Sequence, residues 1–186
     1  MSHQTNESVF IHPTAEVSKQ ACIGAGTKIW NNAQVREQSN IGSQCIISKD
    51  VYIDQGVKIG NNVKIQNGVS VYHGVEIDDN VFLGPHMTFT NDLFPRAFTN
   101  AWKVVPTKVE MGASIGAHAT IVCGTTIGAY SMVGAGSVVI HNVGPHQLVV
   151  GNPARMIGLV CYCGERIEHR KPCHACGQSI PEDVLL

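Results

Sequence analysis

The sequence predicts an all-β fold, a parallel β-helix built from repeating six-residue units. Large apolar residues recur every six positions from Ile11 to Phe89 and again from Val109 to Val139, without a miss. Small or β-branched residues stand four positions after many of these anchors, and Gly directly follows several of them. Ordinary alternating strands do not hold one phase through so many units, so this hexapeptide period predicts stacked coils.

Three six-residue units make one triangular coil, so residues 18 apart should lie in neighbouring coils. The spacing between strands sets the rise per coil at about 4.8 Å. The anchors should point inward and stack on one another, each contributing about 1.5–3 kcal/mol of burial energy. The small residues between anchors let each coil turn its corner.

Composition and charge set the remaining boundaries. The chain has 186 residues and a formal net charge of −1, which favours neither a nucleic-acid nor a polybasic membrane partner. It has no apolar run of about 18 residues, and its start lacks a signal-peptide layout, so we expect a cytoplasmic protein. The predicted divisions are a flexible N-terminus (1–8), a β-helix domain (9–159) and a Cys-rich tail (160–186).

The 18-residue period predicts two vertical columns of polar side chains on the outside of the prism. The first holds Glu37, Gln55, His73 and Asn91, and the second holds Asp50, Gly68 and His86. His73 and Asn91 should therefore be near neighbours. Each histidine is either an exposed turn residue or a functional group, and Asn91 either opens an Asx-type turn or hydrogen-bonds a substrate.

The period is lost from residue 90 to residue 108, which predicts one inserted loop. This segment carries an unusual set of aromatic and rigid residues, namely Phe94, Pro95, Arg96, Phe98, Trp102 and Pro106. Long irregular loops on a regular scaffold are usually functional. We expect this loop to reach over a neighbouring subunit, with Arg96 meeting either a phosphate or carboxylate or a structural salt-bridge partner.

The stretch "KIQNGVSVYHGVEIDDNVFLGPHMTFTNDLFPRA", residues 64–97, resembles bacterial left-handed β-helix N-acetyltransferases that act on nucleotide-linked 3-amino sugars. The similarity covers residues 9–160. It implies a left-handed coil, a homotrimer with acetyl-CoA between two subunits, and a place for Asn91 at the reacting centre. Relatives vary around "YHGVE", which leaves open what His73 and Glu76 do. Together with Glu76, the candidate substrate contacts are Asp92 and Arg96.

Two motifs near the end of the repeats point to the coenzyme. "GNPAR", Gly151–Arg155, resembles the turn that closes acetyl-CoA-dependent members, and Arg155 would contact a coenzyme phosphate or lie solvated on a plain cap. The glycines of "VGAGS" allow close approach of the pantetheine arm. The predicted coenzyme contacts are Gly134, Ala135, Gly136, Asn152, Pro153 and Arg155.

The tail carries four cysteines in two pairs, each followed by Gly. Cys161 and Cys163 form a C-x-C pair, and nine residues later Cys173 and Cys176 form a C-x-x-C pair. Four thiolates in two turns suit a tetrahedral structural zinc ion. Free thiols and disulfides are the alternatives, the latter disfavoured in a reducing compartment.

The favoured function is transfer of acetyl from acetyl-CoA to the 3-amino group of a nucleotide-linked sugar, in cell-surface polysaccharide (lipopolysaccharide) biosynthesis. The nucleotide (UDP or dTDP), the acyl group, and the proton acceptor (His73, His86 or the coenzyme sulfur) stay open. Transfer to another small acceptor is the alternative. A trimeric β-helix carbonic anhydrase needs an H-x4-H pair, a spacing that His73, His86 and His118 do not have, and an ice-binding scaffold needs regular Thr arrays that the outward positions lack.

Overall fold

The chain folds as the predicted parallel β-helix. A computed structural model describes residues 8–99, 102–168 and 171–182. Successive coils pair in parallel with an 18-residue register, as where Lys64 pairs with Phe82 and Ile65 with Leu83. The predicted flexible N-terminus, 1–8, lies outside the described residues except for its last position. The described residues contain no helix with the length and hydrophobicity needed to cross a membrane.

Within the described residues, short strands form three faces of a prism, named here A, B and C. Face A contains β1 (Phe10–Ile11), β4 (Lys28–Ile29), β7 (Ile46–Ile47), β10 (Lys64–Ile65), β13 (Phe82–Leu83), β16 (Ser114–Ile115), β19 (Met132–Val133), β21 (Gln147–Val150), β22 (Arg155–Val160) and β23 (Arg166–Ile167). Face B contains β2 (Glu16–Val17), β5 (Gln34–Val35), β8 (Tyr52–Ile53), β11 (Ser70–Val71), β14 (Thr88–Phe89), β17 (Thr120–Ile121) and β20 (Val138–Val139). Face C contains β3 (Cys22–Ile23), β6 (Asn40–Ile41), β9 (Lys58–Ile59), β12 (Val75–Ile77), β15 (Thr107–Val109) and β18 (Thr126–Ile127).

The core is the stack of anchors that the period predicts. Phe89 and Ile65 are among the fully buried side chains, and so is Ala33, one of the small residues between anchors. Ile11 is 43 % exposed because it belongs to the first described coil, where no earlier described coil covers it. The large anchors are all apolar, whereas the small inward set also admits buried hydroxyl residues such as Thr27 and Ser39.

The corners between faces turn through residues with a left-handed backbone. At corner AB, which joins faces A and B, Asp50, Gly68 and His86 have φ angles of 57°, 69° and 57°. This conformation favours Gly, Asp, Asn and His over other residues. The second predicted column is therefore one corner of the prism, and its residue types are those that the turn requires.

The predicted insertion leaves the prism at corner BC, between faces B and C. The chain departs after Phe89 and returns at Thr107, which pairs with Val75 in the preceding coil. The loop therefore covers residues 90–106, and the predicted end at 108 is two residues too late. Thr107 and Lys108 already carry ladder hydrogen bonds, which a count of apolar anchors alone does not reveal.

The C-terminal end closes face A by reversing direction. β21 pairs in parallel with β19, whereas β22 pairs antiparallel with β21 and β23 pairs antiparallel with β22. The reversal gives hydrogen-bond partners to what would otherwise be an open strand edge. The predicted boundary between residues 159 and 160 falls inside β22, so the Cys-rich tail begins as a continuation of face A.

Candidate functional site

His73 and Asn91 lie at corner BC, as the first predicted column requires. The Gly56 N–H donates to the Glu37 carbonyl over 3.1 Å, and His73 Nδ1 lies 2.8 Å from the Gln55 carbonyl oxygen. The pairing of β11 with β14 then places Asn91 in the coil after His73. Both side chains are exposed to solvent. The strand register therefore places the two residues in neighbouring coils at the same corner.

The contact with Gln55 determines which nitrogen of His73 carries the proton. A carbonyl oxygen can only accept a hydrogen bond, so Nδ1 is the protonated atom in the neutral ring. Nε2 then carries the lone pair and faces away from the Gln55 carbonyl. In this tautomer the ring is oriented as a proton acceptor.

A carboxylate that the sequence analysis missed holds the turn beneath His73. Asp54 Oδ2 accepts the His73 N–H over 3.2 Å, and Oδ1 accepts the Tyr52 hydroxyl and the Gln55 N–H over 2.9 and 2.8 Å. Burial by itself raises the pKa of Asp54, but the Gln55 N–H and the other donors outweigh it, so the pKa is lowered. Arg36 lies 18 residues before Asp54, one coil away, and pairs with it over 3.5 Å. This 18-residue spacing of opposite charges is the sequence signal that could have identified the network.

The loop 90–106 carries exposed aromatic residues outward from corner BC. Phe94 and Phe98 are 81 % and 88 % exposed. Trp102 Nε1 donates to the Asn91 main-chain carbonyl over 2.9 Å, which ties the loop back to its own start. Among the described residues the Asn91 side-chain amide makes no hydrogen bond, so it is available to a ligand.

Two predicted substrate contacts in this loop make local hydrogen bonds. Asp92 Oδ1 accepts the Phe94 N–H over 2.9 Å, an Asx-type turn that the sequence analysis had considered for the preceding asparagine. Arg96 Nη1 donates to the Pro95 carbonyl over 2.7 Å, and it forms no ion pair within the described part of the chain. The salt-bridge alternative for Arg96 is therefore not seen, and its remaining donors face solvent.

Glu76 lies on face C and not at the corner. It pairs in register with Lys58 of β9 and Lys108 of β15, so opposite charges flank it on both sides. It also lines a shallow groove of about 480 Å³ on this face. Lys108 forms its ion pair with Asp78, over 3.5 Å, so the Glu76 carboxylate remains a candidate substrate contact on the face beside the corner of His73 and Asn91.

His86 occupies a different corner from His73. At corner AB its ring stacks on that of His118, with centroids 5.3 Å apart and planes 17° from parallel. Within a single chain, the structure does not bring His86 to Asn91. His73 thus lies at corner BC, whereas His86 and His118 share corner AB.

The two motifs predicted to bind coenzyme meet at the C-terminal end of corner AB. Val138 N–H donates to the Gly151 carbonyl over 2.9 Å, Ala154 N–H donates to the Val138 carbonyl over 2.8 Å, and Gly151 N–H donates to Ser137 Oγ over 3.1 Å. The turn includes a cis peptide bond between Asn152 and Pro153. "VGAGS" and "GNPAR" therefore form one surface.

Two residues of this surface are open to a ligand. The Arg155 side chain is exposed, with Nη1 donating to the neighbouring Ala154 carbonyl over 2.9 Å. Gly136 has a φ angle of 69° and no heavy atom within 4 Å of the position a Cβ would take, so the space above it is empty. An exposed guanidinium beside open backbone is suited to a phosphate-bearing ligand.

The four tail cysteines converge, as their spacing predicts. Their Sγ atoms all lie within 4.8 Å of one another. Cys161 and Cys176 are 3.4 Å apart and Cys163 and Cys173 are 3.6 Å apart, far beyond a disulfide bond length of about 2.05 Å. Hydrogen bonds from the backbone N–H groups of Cys176 and Ala175 lower the pKa of Cys173 to about 7. Despite backbone N–H donors, burial and hydrogen bonds with neighbouring thiols raise the pKa of Cys163 and Cys176. The proximity of the four sulfur atoms is what makes the cluster a candidate metal site.

Comparison with known proteins agrees with this architecture. Residues 56–88 match the family model "Bacterial transferase hexapeptide (six repeats)", and residues 106–140 match "Hexapeptide repeat of succinyl-transferase". The chain is 46 % identical over 164 residues to the dTDP-3-amino-3,6-dideoxy-α-D-galactopyranose 3-N-acetyltransferase of Aneurinibacillus thermoaerophilus, covering 88 % of this chain and 85 % of that protein.

Two solved structures share the fold. A variant of the GDP-perosamine N-acetyltransferase of Caulobacter crescentus superposes with a TM-score of 0.59 at 24 % identity, covering 82 % of this chain. This chain spans 58 % of the length of that one. The maltose O-acetyltransferase of Clostridium difficile 630 gives a TM-score of 0.54 at 24 % identity, covering 76 % of this chain and 71 % of that one.

The six-residue period, the three-faced prism and the long match to a single relative define an enzyme of the hexapeptide-repeat transferase class, whose coil is left-handed. Within that class, the chain belongs to the N-acetyltransferase family that includes the Aneurinibacillus 3-amino-sugar enzyme.

Proposed function

We propose that this protein transfers an acetyl group from acetyl-CoA to the 3-amino group of a nucleotide-linked 3-amino sugar. The observation that carries the proposal is the 46 % identity to a 3-N-acetyltransferase, which extends over 88 % of the chain. Because that relative is named for a dTDP-3-amino-3,6-dideoxyhexose, we propose a dTDP-linked sugar of this class over a UDP-linked one. The acetylated product would serve cell-surface polysaccharide biosynthesis.

The chemistry follows from the groups at corner BC. The neutral amine attacks the thioester carbonyl, and Asn91, whose amide is free, donates a hydrogen bond to the developing oxyanion. As the N–C bond forms, His73 accepts the amine proton at Nε2, because Nδ1 is already protonated against the Gln55 carbonyl. The C–S bond then breaks, and the coenzyme thiolate leaves and receives that proton.

The coenzyme would lie along corner AB. Arg155 would pair with one of its phosphates, and the backbone of Gly134, Ala135 and Gly136 would line the pantetheine slot with Asn152 and Pro153 at its rim. Support comes from the hydrogen bonds that join these two segments into one open surface.

A homotrimer with sites between subunits is part of the same proposal. Two large aromatic side chains, Phe94 and Phe98, are more than four-fifths exposed in the single chain. Exposed aromatic clusters of this kind mark interaction surfaces. A neighbouring copy would cover them, and its corner AB would then bring coenzyme to Asn91, with Asp92 and Arg96 of the loop contacting the sugar nucleotide.

Two further assignments complete the proposal. None of the seven cysteines forms a disulfide, and we propose a cytoplasmic location, where thiols stay reduced. A structural zinc ion would occupy the four tail cysteines and take no part in acetyl transfer, since thiolates would fill all four coordination positions.

The direct test is release of coenzyme A thiol from acetyl-CoA in the presence of different acceptors. We expect turnover with a dTDP-3-amino-3,6-dideoxyhexose, little with the UDP-linked 3-amino sugar, and none with the corresponding 3-hydroxy sugar. Propionyl-CoA in place of acetyl-CoA measures donor preference. Turnover with none of the amino sugars, although acetyl-CoA binds in a thermal-shift assay, would overturn the acceptor assignment, and turnover of maltose alone would point to an O-acetyltransferase.

A further inference from the structure

The cysteine cluster has the dimensions of a tetrahedral zinc site. Four sulfur atoms at about 2.3 Å from a central zinc ion stand about 3.8 Å from one another. The observed separations are 3.4 Å for Cys161 and Cys176, 3.6 Å for Cys163 and Cys173, and at most 4.8 Å for the set. A metal ion of this size would fit with only small side-chain adjustments.

The backbone around each pair is already turned to present its sulfur atoms. In the first turn, Gly164 N–H donates to the Cys161 carbonyl over 2.9 Å and Cys161 N–H donates to the Glu165 carbonyl over 2.8 Å. In the second, Gly177 N–H donates to the Cys173 carbonyl over 2.8 Å. The two glycines have φ angles of 90° and 72°, which favour Gly at these positions.

The tail has almost no hydrophobic core to hold these turns in place. In the described residues after Val160, the buried side chains are those of Cys161, Cys173 and Ile180. Two of these three are proposed metal ligands. Segments this small and poor in apolar residues usually need a metal or a disulfide to stay folded.

The first cysteine turn packs on the end of the β-helix through aromatic contacts. The Tyr162 ring meets the rings of Tyr130 and His146 edge-on, with centroids 4.7 and 4.6 Å apart. His146 is 3 % exposed, and its Nδ1 lies 2.9 Å from the Val160 carbonyl oxygen. The tail thus packs on the Tyr130 and His146 side chains at corner CA, which joins faces C and A.

The same tail also braces β22, the strand that begins at Arg155. β23 pairs with Leu159 and Val160 near the far end of that strand. Arg166 Nη2 donates to the Ile157 carbonyl over 2.6 Å, which reaches the middle of the strand. β22 therefore has β21 on one side and the tail on the other.

We propose that Zn²⁺ bound by the four cysteines clamps the tail onto the C-terminal end of the β-helix and thereby holds β22 in place. Its effect on coenzyme affinity rests on the function proposed above, since only then does Arg155 contact coenzyme. The metal acts on the fold of one end and not on the reacting groups. Without it, the tail and β22 detach while the coils stay formed.

The metal part is tested on the full-length protein by elemental analysis and hydrogen exchange. We expect one zinc per chain in the wild type and loss of zinc in Cys163→Ser and Cys176→Ser, which replace exposed ligands. Cys22→Ser, also exposed but on face C, is the matched control and should keep its zinc. Amide protection should fall in residues 157–168 of the zinc-free variants and stay unchanged in the coils.

The proposal would be overturned if the wild-type protein, purified without chelator and then dialysed against zinc, held no metal. It would also be overturned if zinc-free and zinc-loaded proteins showed equal protection across residues 157–168. Cobalt substitution adds a second readout, because a Co²⁺ tetrathiolate has intense visible absorption that a site with fewer sulfur ligands lacks.

The coupling to coenzyme is measured by titration of desulfo-coenzyme A into zinc-loaded and zinc-free protein. If β22 is formed in about a tenth to a third of zinc-free molecules, the Kd rises about three- to tenfold. Equal Kd values would refute the clamp on β22 while leaving the metal site intact. Absence of coenzyme binding to the zinc-loaded protein would instead count against the proposed function.

Discussion

At the scale of single residues, His73 owes its orientation to the coil below it. The 18-residue register places the Gln55 carbonyl beneath its ring, and Asp54 holds the backbone that carries it. His86, by contrast, stacks on His118 at another corner and has a turn-forming backbone.

Replacing His73 with Asn should therefore lower kcat by about 10²–10⁴, because the proton acceptor is lost. His86→Asn is the matched control, an exposed corner histidine changed in the same way, and Asn also suits its left-handed backbone. We expect it to keep kcat close to that of the wild type. Steady-state thiol release measures both variants, and an unchanged kcat in His73→Asn would leave the coenzyme sulfur as the proton acceptor.

Asn91→Ala should lower kcat by about 10²–10³ with a smaller change in KM, since a hydrogen bond to the oxyanion acts in the transition state. Asp92→Ala removes only the neighbouring Asx-turn acceptor and serves as the comparison. Equal losses in the two variants, in kcat and in KM, would indicate that both simply disturb the start of the loop.

Asp54 gives the protein a dependence of stability on pH. Its pKa is lowered in the folded state, so the stabilisation it provides is fully present above its ordinary value near 3.8 and is lost as pH falls through the lowered value. Asp54→Asn should therefore reduce the free energy of unfolding at neutral pH. In acid the wild type loses the same stabilisation, so the two proteins should become equally stable. Urea unfolding between pH 7 and pH 3 measures this, and a pH-independent difference would exclude the ionised carboxylate as the cause.

At the scale of elements, each strand is only two to a few residues long and depends on the coils above and below it. The loop 90–106 begins directly after β14, where the regular stack is interrupted. The Phe89 side chain at the end of this strand is nevertheless buried, with 1 % of its surface exposed. The anchor before the loop thus secures the point where the regular stack is interrupted.

Phe89→Ala should cost about 3–5 kcal/mol of unfolding free energy, because it removes a fully buried aromatic side chain and leaves a cavity. Phe82→Ala, in the same coil but 38 % exposed on the outward side of face A, is the control and should cost far less. Denaturant titration followed by circular dichroism measures both. Similar losses would mean that inward and outward positions are energetically alike.

At the scale of the whole molecule, a single prism leaves the two surfaces proposed for acceptor and coenzyme on different corners. Asn91 and His73 lie at corner BC, whereas Gly136 and Arg155 lie at corner AB, on the other side of face B. Transfer between bound coenzyme and acceptor requires these surfaces to meet. Two parallel copies in contact would provide that arrangement, which supports the proposed trimer.

The double replacement Phe94→Ser and Phe98→Ser should weaken assembly, because it removes the most exposed aromatic side chains of the loop. We expect light scattering after size exclusion to show a trimer for the wild type and smaller species for the variant at micromolar concentration, with activity falling in parallel. Lys103→Ala alters the same loop without removing apolar surface and should remain trimeric. A monomeric wild type with full activity would contradict intersubunit sites.

Much of this molecule was predictable from periodicity because a β-helix repeats one local rule. The inward anchors, the column from Gln55 to Asn91 and the convergence of the four tail cysteines follow from fixed spacings along the chain. The loop end at 108 was misplaced because strand pairing can begin before the next apolar anchor. Asp54 was not predicted, because its role depends on hydrogen bonds with the Tyr52 hydroxyl and the His73 backbone, which the six-residue period does not specify.

The sequence by itself determined the coil, the corner at which each polar residue stands, and the two closing motifs, since all of these are set by distance along the chain. Only the tertiary structure decided that His86 stacks on His118, which nitrogen of His73 is protonated, and that the tail continues face A and packs Tyr162 against His146. These depend on contacts between side chains and backbone groups of different coils. A six-residue period specifies how coils stack, but it does not specify the hydrogen bonds that their outward side chains form.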